Sequence, residues 1–280
     1  MNFVDGQIMK IACCQVNTVW ENKSDTHARV AQLLDAANLE RGTLVVLPEF
    51  FSVGFSFNVA KIAEGKHQET ETFMAQTAKR LGVFLMGGVV NMGDDNRGRN
   101  EAVVFDPGGK EVARYCKLHP FSFSGEDQHY EPGNNVIVFN CHQWLVAPLI
   151  CYDLRFPEAF RAAVRRGAEL IVVPAAFTAV TGAAHWEVLL RARAVETQCW
   201  VLAANQTGEH PSGRQTFGHS CLIDPWGVVQ ASLPGGEGVV VGALDQTQLA
   251  SVRARMPILS HRRFALAAQP LPVAKESEHE

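Results

Sequence analysis

Long apolar runs are absent from this sequence of 280 residues. No run approaches the roughly 20 apolar residues that a membrane-spanning helix needs, so we predict that the chain does not insert into a membrane. The first six residues also lack the basic and apolar regions that are typical of a secretory signal peptide.

Cysteine is present, but not in the patterns that indicate a disulfide framework or a zinc site. The seven cysteines are scattered and odd in number. The chain has no CxxC pair and no Cys/His spacing that suits zinc, so we predict no metal and no other cofactor. We therefore expect a cytoplasmic protein with reduced thiols.

A strong excess of one charge is also missing. The chain has 25 basic and 29 acidic residues, and this net charge of −4 disfavours a broad nucleic-acid-binding face. By contrast, 47% of the residues are hydrophobic and only 19% are charged, which is typical of a globular protein with a large core.

Strand-like and helix-like segments alternate along the chain. We predict one α/β domain with mixed sheets over residues 9–266, because no Gly/Ser linker or shift in composition divides it. Residues 1–8 are expected to form a loose extension and residues 267–280 a polar tail. Strands are predicted at 11–16, 43–50, 83–90, 144–150, 168–175 and 199–205. Helices are predicted from a cap at Ser24 to Gly42, through Phe73 to Leu81, and at 157–166 and 184–198.

Three buried strands end at side chains that could take part in catalysis. Glu49, Lys117 and Cys151 each follow an apolar run, and ligand sites in α/β sheets lie at the carboxyl ends of strands. Taken singly, they could be a capping carboxylate, a surface lysine and a small core residue. Together they favour a shared site. We expect Asp153 to hold the turn after the cysteine and His119 to make a structural hydrogen bond.

Four stretches of the sequence resemble the nitrilase superfamily of carbon–nitrogen hydrolases. The resemblance extends from about residue 9 to about residue 266. It implies a four-layer α-β-β-α sandwich with two mixed sheets, which associates through its helices into a homodimer or a higher homo-oligomer. The matching stretches are "LPEF" (47–50), "YCKLHPF" (115–121), "CYDLRFPE" (151–158) and "GAAHWEVLLRARAVETQCWVLAANQTG" (182–208).

The resemblance also implies a catalytic triad, which in this sequence is Glu49, Lys117 and Cys151. A second glutamate often joins the triad from the loop after the lysine. Glu126 is the first candidate for that place, and Glu131, nearer the end of the loop, is the second.

Further residues are candidates for binding the substrate. The backbone N–H of Tyr152 is the expected donor to an oxyanion, since it follows the candidate nucleophile. Phe177, after a buried strand, lines the pocket or belongs to the core. Arg155 could bind a substrate carboxylate, because a guanidinium can donate two parallel hydrogen bonds. Its alternative is a structural ion pair with an acid such as Glu158.

The resemblance is closest to the amidase branch that includes ω-amidase and deaminated-glutathione amidase. It implies hydrolysis of a small carboxylate-bearing amide through a thioester, with release of ammonia. Nitrile hydrolysis is disfavoured, because Tyr152 and Asp153 stand where nitrilases usually have Trp-Glu. Two alternatives stay open: an N-carbamoyl compound hydrolase, and an inactive scaffold that binds a metabolite or a protein.

Overall fold

The computed structural model describes residues 8–264. The predicted polar tail lies outside this span, and so does the predicted N-terminal extension except for Ile8. That residue begins the first strand, where it pairs with Asp245. Within the described span, none of the helices has the length and the hydropathy that crossing a membrane would require.

Two large mixed sheets form the centre of the protein. A short hairpin of β11 (Thr207–Glu209) and β12 (Gln215–Phe217) lies outside them. In spatial order, the first sheet contains β15 (Gly238–Asp245), β1 (Ile8–Gln15), β2 (Leu44–Val46), β3 (Phe84–Met92), β4 (Gly98–Phe105) and β5 (Glu111–Cys116), with β6 (Tyr130–Glu131) paired to β4. The second contains β14 (Val229–Leu233), β13 (Ser220–Ile223), β10 (Trp200–Asn205), β9 (Leu170–Ala175), β8 (Trp144–Pro148) and β7 (Phe139–Cys141).

Helices cover the outer face of each sheet, which confirms the predicted four-layer sandwich. The helices are α1 (Lys23–Ala36), α2 (Val59–Ile62), α3 (Glu69–Leu81), α4 (Glu126–His129), α5 (Pro157–Arg165), α6 (Ala179–Thr197) and α7 (Gln246–Arg255). Apolar residues of α1 and α3 pack on the first sheet, and those of α5 and α6 join the core of the second.

The alternation of side chains along β1 shows why residues 11–14 in the middle of this strand are all apolar. Ile11 and Cys13 belong to the core between the two sheets, whereas Ala12 and Cys14 belong to the core under the helices. Successive side chains of a strand point to opposite faces, so a strand covered on both faces has no solvent-facing position.

The start of α1 differs from the prediction. Asn22, not Ser24, caps the helix, because its side-chain oxygen accepts a hydrogen bond from the N–H of Asp25 at 3.1 Å. The helix also ends at Ala36, well before Gly42. The backbone N–H of Gly42 instead donates to the carbonyl of Gly82 in the turn that leads into β2.

Helix α6 begins five residues earlier than predicted, at Ala179 rather than at residue 184. This first part includes Gly182, a residue type with poor intrinsic helix propensity. The ring of Phe217 fills the space where a side chain at Gly182 would lie, so tertiary packing favours glycine at this helical position.

The carboxyl ends of β2 and β5 lie at one edge of the first sheet, since both strands run parallel to β3. Strands β8 and β9 are parallel neighbours in the second sheet. The two sheets pack face to face, and this packing brings the residues that follow these four strands together.

Candidate active site

Glu49 follows β2 and is completely buried. Its Oε1 accepts hydrogen bonds from Nζ of Lys117 at 2.8 Å and from Nδ2 of Asn100 at 2.7 Å. Its Oε2 accepts from the backbone N–H of Ala176, after β9, at 2.9 Å. The side chain of Gln206 donates to the Glu49 carbonyl at 2.7 Å. Both the backbone and the carboxylate of this residue are therefore held by partners that lie far away in the sequence.

Gly88 on β3 lets the backbone beside Glu49 come close. A Cβ atom at Gly88 would lie 2.6 Å from Cα of Glu49 and would also overlap the backbone nitrogen of Phe50. Only glycine fits at such a distance from another backbone, because no side-chain movement could relieve the overlap.

Lys117 follows β5, and 1% of the residue is exposed. Its ammonium lies between two carboxylates, at 2.8 Å from Oε1 of Glu49 and 2.7 Å from Oε2 of Glu126. Burial by itself would lower the pKa of Lys117, but the negative charges of Glu126 and Glu49 outweigh burial and raise it. Lys117 is therefore a fixed positive charge inside the protein.

Cys151 begins a tight turn of helical residues directly after the strand region of β8. Its φ of +43° lies in the left-handed region, which is unusual for a residue other than glycine and is found at functional sites. Burial raises the pKa of the thiol well above its usual value, and the nearby charge of Glu49 raises it further. The charge of Lys117 acts in the opposite direction. The cysteine at rest is thus a thiol, with the Glu49 carboxylate near enough to affect its pKa.

Asp153 holds the turn that carries Cys151, as the sequence predicts. Its Oδ2 accepts hydrogen bonds from the N–H of Ile150 at 2.8 Å and from the hydroxyl of Tyr115 at 2.7 Å. Its Oδ1 accepts from the N–H of His119 at 3.0 Å and lies 2.7 Å from that residue's Nδ1. The expectation of a structural hydrogen bond at His119 is confirmed.

The structure places Glu126, not Glu131, beside Lys117. Glu126 is fully buried, and its Oε1 also accepts a hydrogen bond from Nδ2 of Asn100 at 2.9 Å. Burial raises the pKa of the Glu126 carboxyl, and the positive charge of Lys117 offsets part of this increase. Glu131 pairs instead with the guanidinium of Arg99 at 3.1 Å.

A cavity of about 320 Å³ lies beside Cys151. Its size is at the lower end for ligand pockets, which span roughly 300–1,000 Å³, so it suits a small molecule. Aromatic rings form much of its wall, and the cationic side chains that reach it are Arg155 and Arg214. The aromatic lining residues are Phe55, Phe121, Phe123, Tyr152 and Phe177, with His210 beside them.

Arg155 lies on the wall of this cavity, and the expected ion pair with Glu158 is absent from the described residues. Its guanidinium carbon is 5.2 Å from the centre of the Phe177 ring and 5.7 Å from that of Tyr152. Its Nη1 is 3.2 Å from Nδ1 of His185. The aromatic rings hold the guanidinium by cation–π contact, so a nearby carboxylate is not required.

Phe177 both lines the cavity and packs in the core. Its ring centre is 5.1 Å from that of Trp186, and 4% of the residue is exposed. Its backbone N–H donates to Oδ1 of Asn205 at 2.8 Å, which fixes the chain just after β9. Phe177 therefore fits both alternatives, since it lines the cavity and also belongs to the core.

Comparison with known proteins identifies the family. The sequence pattern of the family described as "Carbon-nitrogen hydrolase" matches residues 10–254. The chain belongs to the carbon–nitrogen hydrolase family. The deaminated glutathione amidase of Yersinia enterocolitica is 35% identical over 265 residues, which cover 89% of this chain and 92% of that protein. The omega-amidase NIT2 of Danio rerio is 33% identical over 249 residues, 86% of this chain and 90% of that protein.

Solved structures give the same result for the fold. Nit3 of Saccharomyces cerevisiae, a member of branch 10 of the nitrilase superfamily, aligns with a TM-score of 0.84 and 30% identity over 92% of this chain and 97% of that chain. A mutant of the amidase from Nesterenkonia sp. AN1, which shows Michael addition of acrylamide at its active site cysteine, aligns with a TM-score of 0.77 and 25% identity. That alignment covers 90% of this chain and 99% of the amidase.

Sequence analysis did not find three groups of this carbon–nitrogen hydrolase site. Asn100 bridges the two glutamates, Gln206 donates to the Glu49 carbonyl, and the N–H of Ala176 donates to the Glu49 carboxylate. Asn100 lies between Arg99 and Glu101 at the polar start of β4, so the sequence did not distinguish it from its neighbours. No local pattern singled out the other two.

Proposed function

We propose that this carbon–nitrogen hydrolase cleaves a small carboxylate-bearing amide through a thioester on Cys151. The observation that carries the proposal is the position of the Glu49 carboxylate. It binds the ammonium of Lys117 and lies near enough to Cys151 for its charge to raise the pKa of the thiol, and Cys151 lines a small cavity. A nucleophile, a base and a fixed cation are the groups that acyl transfer needs.

In the first half of the reaction, Glu49 takes the proton of the Cys151 thiol as the sulfur attacks the amide carbon. The raised pKa of the thiol makes this base necessary, since a thiolate does not form on its own near neutral pH. The negative oxygen of the tetrahedral intermediate is stabilised by Lys117 and by the backbone N–H of Tyr152. The intermediate then expels ammonia, which receives its proton from Glu49, and leaves the thioester.

In the second half, Glu49 accepts a proton from water as the water oxygen attacks the thioester carbon. The carbon–sulfur bond breaks, the carboxylic acid product leaves, and the sulfur recovers its proton from Glu49. In this scheme Glu126 is a positioning residue. It holds the ammonium of Lys117 between two carboxylates and keeps it charged.

The position of Arg155 supports the proposal that the substrate carries a carboxylate. It lies on an apolar, aromatic wall of the cavity and pairs with no carboxylate among the described residues. A cation in such surroundings binds an anion more strongly than an exposed cation does. The relatives named deaminated glutathione amidase and omega-amidase are in keeping with such a substrate.

We also infer that the protein is a cytoplasmic homodimer. All seven cysteines are unpaired, as in a reducing compartment. Apolar side chains on the outer layer at Val180, Val188 and Val195 of α6 are 88%, 61% and 49% exposed, and such a face is typical of an interface. Sedimentation of the purified protein and fractionation of cells check these two points, and a monomer or a membrane-bound pool would contradict them.

The decisive experiment measures ammonia release from a panel of ω-amides, nitriles and N-carbamoyl amino acids. We expect turnover of carboxylate-bearing ω-amides by the native protein and none by Cys151→Ala. Cys221→Ala, which removes a buried thiol outside the cavity, is the matched control and is expected to keep its turnover. Full turnover by Cys151→Ala would exclude the mechanism.

The same experiment separates the alternatives. Preferential cleavage of N-carbamoyl amino acids would support a carbamoyl hydrolase instead. A protein that releases no ammonia, and in which iodoacetamide labels several cysteines equally and slowly, would be a scaffold. An enzyme is expected to show a single labelled site at Cys151, with labelling slowed by the amide.

A further inference from the structure

Two carboxylates of the candidate site bind the same amide nitrogen. Nδ2 of Asn100, on β4, donates to Oε1 of Glu49 at 2.7 Å and to Oε1 of Glu126 at 2.9 Å. Only 1% of Asn100 is exposed, and both glutamates are completely buried. An NH₂ group has two protons, so this group gives one hydrogen bond to each acid and has no proton left for another partner.

The negative charge of these two carboxylates exceeds the positive charge that faces them. The cation found beside them among the described residues is Lys117, whose Nζ lies 2.8 Å from Oε1 of Glu49 and 2.7 Å from Oε2 of Glu126. Cys151 and Tyr130 also face the pair. Both are neutral near pH 7, because burial, with the charge of one or both glutamates, raises the pKa of each. Two ionised carboxylates therefore share one ammonium.

Such a pair tends to keep a proton. Like charges at one site repel, and burial disfavours each of them, so one of two neighbouring carboxyls usually stays protonated. A hydrogen bond from an N–H group acts in the opposite direction, since it favours the ionised form of a carboxylate. Asn100 adds one such bond to each glutamate and thereby acts against protonation of either.

The other end of the amide shows that this arrangement has a cost. Oδ1 of Asn100 is buried and has no hydrogen-bond partner among the described residues. An unpaired buried acceptor is unfavourable. In the opposite orientation of the amide, Oδ1 would meet two carboxylate oxygens, which is worse because all three atoms are acceptors. The two glutamates therefore fix the orientation of Asn100.

We propose that Asn100 is a positioning residue, whose amide group keeps both glutamates ionised beside Lys117. The inference rests on the proposed function, in which Glu49 must carry no proton before it can accept one from Cys151. Without Asn100, the two carboxylates would retain one proton at a higher pH than in the native protein. Glu49 would then act as a base only after this proton has been removed.

The test is the pH dependence of kcat/KM for ammonia release by the native protein and by Asn100→Leu. Leucine has nearly the same volume as asparagine and no donor. We expect the acid limb of the profile, in which kcat/KM rises with pH, to move to higher pH by roughly 1 unit, because each carboxylate loses a hydrogen bond. At a given pH on this limb, kcat/KM should fall roughly 10-fold. Above the limb it should return to near the native value.

Asn91→Leu is the matched control. Nδ2 of Asn91, on β3, also bridges two glutamates, with 2.9 Å to Oε1 of Glu71 and 2.9 Å to Oε2 of Glu101. A single cation, Arg114, pairs with both of these acids. None of the four residues lines the cavity beside Cys151. The control removes the same kind of bridge elsewhere, and it should leave the acid limb in its native position.

Asn100→Ser covers the case in which Asn100→Leu does not fold. Its hydroxyl has one proton and can donate to at most one carboxylate, so its acid limb should lie above the native one and below that of Asn100→Leu. A kcat/KM that falls by the same factor at every pH would overturn the proposal, because a purely structural role has that effect. Native profiles in both Asn100 variants, or an equal shift in Asn91→Leu, would also overturn it.

Infrared spectroscopy makes the test independent of turnover. The difference spectrum of Asn100→Leu against the native protein near pH 7 should contain the band of a buried, protonated carboxyl group. A second change, Glu126→Gln, should remove the band, since a single carboxylate then faces Lys117. Absence of the band would overturn the role of Asn100, whether or not the protein releases ammonia. A band in a protein that hydrolyses no amide would support that role and refute the proposed function.

Discussion

Replacing Asp153 by asparagine tests the idea that one buried carboxylate holds Cys151, the proposed nucleophile, in place. The two side chains have nearly the same shape, so the change removes a charge and one acceptor without making a cavity. In the native protein both oxygens of Asp153 accept a backbone hydrogen bond, one from Ile150 at 2.8 Å and one from His119 at 3.0 Å. An asparagine has only one oxygen, so one of these N–H groups must face its NH₂ group.

The expected loss of stability follows from this count. Leaving a buried donor unsatisfied costs about 1–3 kcal/mol, and the remaining hydrogen bonds lose the contribution of the charge. The hydroxyl of Tyr115 can rotate, so it adds little to the loss. We expect Asp153→Asn to lower the free energy of unfolding by about 2–4 kcal/mol. The same change should loosen the turn at Cys151, which already has a left-handed backbone conformation.

The assays are urea unfolding, iodoacetamide labelling at Cys151 and ammonia release. Labelling and kcat/KM should fall by roughly 10- to 100-fold, since a small misplacement of a reacting group has effects of that size. Tyr115→Phe, which removes only one partner of the carboxylate, should fall between native protein and Asp153→Asn in all three measurements.

Asp224→Asn is a matched control from the other half of the chain. Asp224 is also buried, but both of its backbone donors, Trp226 and Val228, bind the same oxygen, Oδ1. An asparagine can keep that oxygen and turn its NH₂ group toward the side chains of Gln230 and Gln248, whose amides can flip. We expect a smaller loss of stability here and no change in the labelling of Cys151.

A free energy of unfolding of Asp153→Asn within about 0.5 kcal/mol of the native value would refute the reasoning, because it would mean that no donor was left unpaired. Equal losses of stability in the Asp153 and Asp224 variants would also contradict it. Lower stability with native labelling at Cys151 would show that Asp153 supports the fold and not the nucleophile.

Two further variants test single contacts. Glu126→Gln should lower kcat/KM roughly 100-fold, because the ammonium of Lys117 loses one of its two charged partners. Glu131→Gln breaks only an ion pair outside the site and should leave kcat/KM near the native value. A larger loss of kcat/KM in Glu131→Gln than in Glu126→Gln would contradict the choice of Glu126. His27 has a pKa that burial lowers from 6.5 to about 4. The folded state therefore binds fewer protons than the unfolded state between these values, and stability is lost as the pH falls through this window. The phenylalanine ring of His27→Phe can still stack on Phe73. In urea titrations at several pH values, this variant should lose about 2–3 kcal/mol less of its free energy of unfolding on acidification than the native protein does. The same dependence of the free energy of unfolding on pH in both proteins would contradict this prediction.

The sequence by itself indicated the α/β class of the fold and three candidate residues for the site. Apolar strands that alternate with helical segments are local patterns, and they predicted one α/β domain with mixed sheets. The four-layer sandwich was implied by the resemblance to the nitrilase superfamily. Glu49, Lys117 and Cys151 could be selected because each directly follows such a strand. Being next to a predicted strand end is a local property that can be read without coordinates.

Tertiary structure alone decided between Glu126 and Glu131, and it alone brought Asn100, Ala176 and Gln206 to the site. Both glutamates lie in one polar loop, and only the fold shows which of them reaches Lys117. The bonds from Ala176 and Gln206 to Glu49 join residues that are 127 and 157 positions apart. Such contacts depend on how two sheets pack, and this packing leaves no periodic trace in the chain.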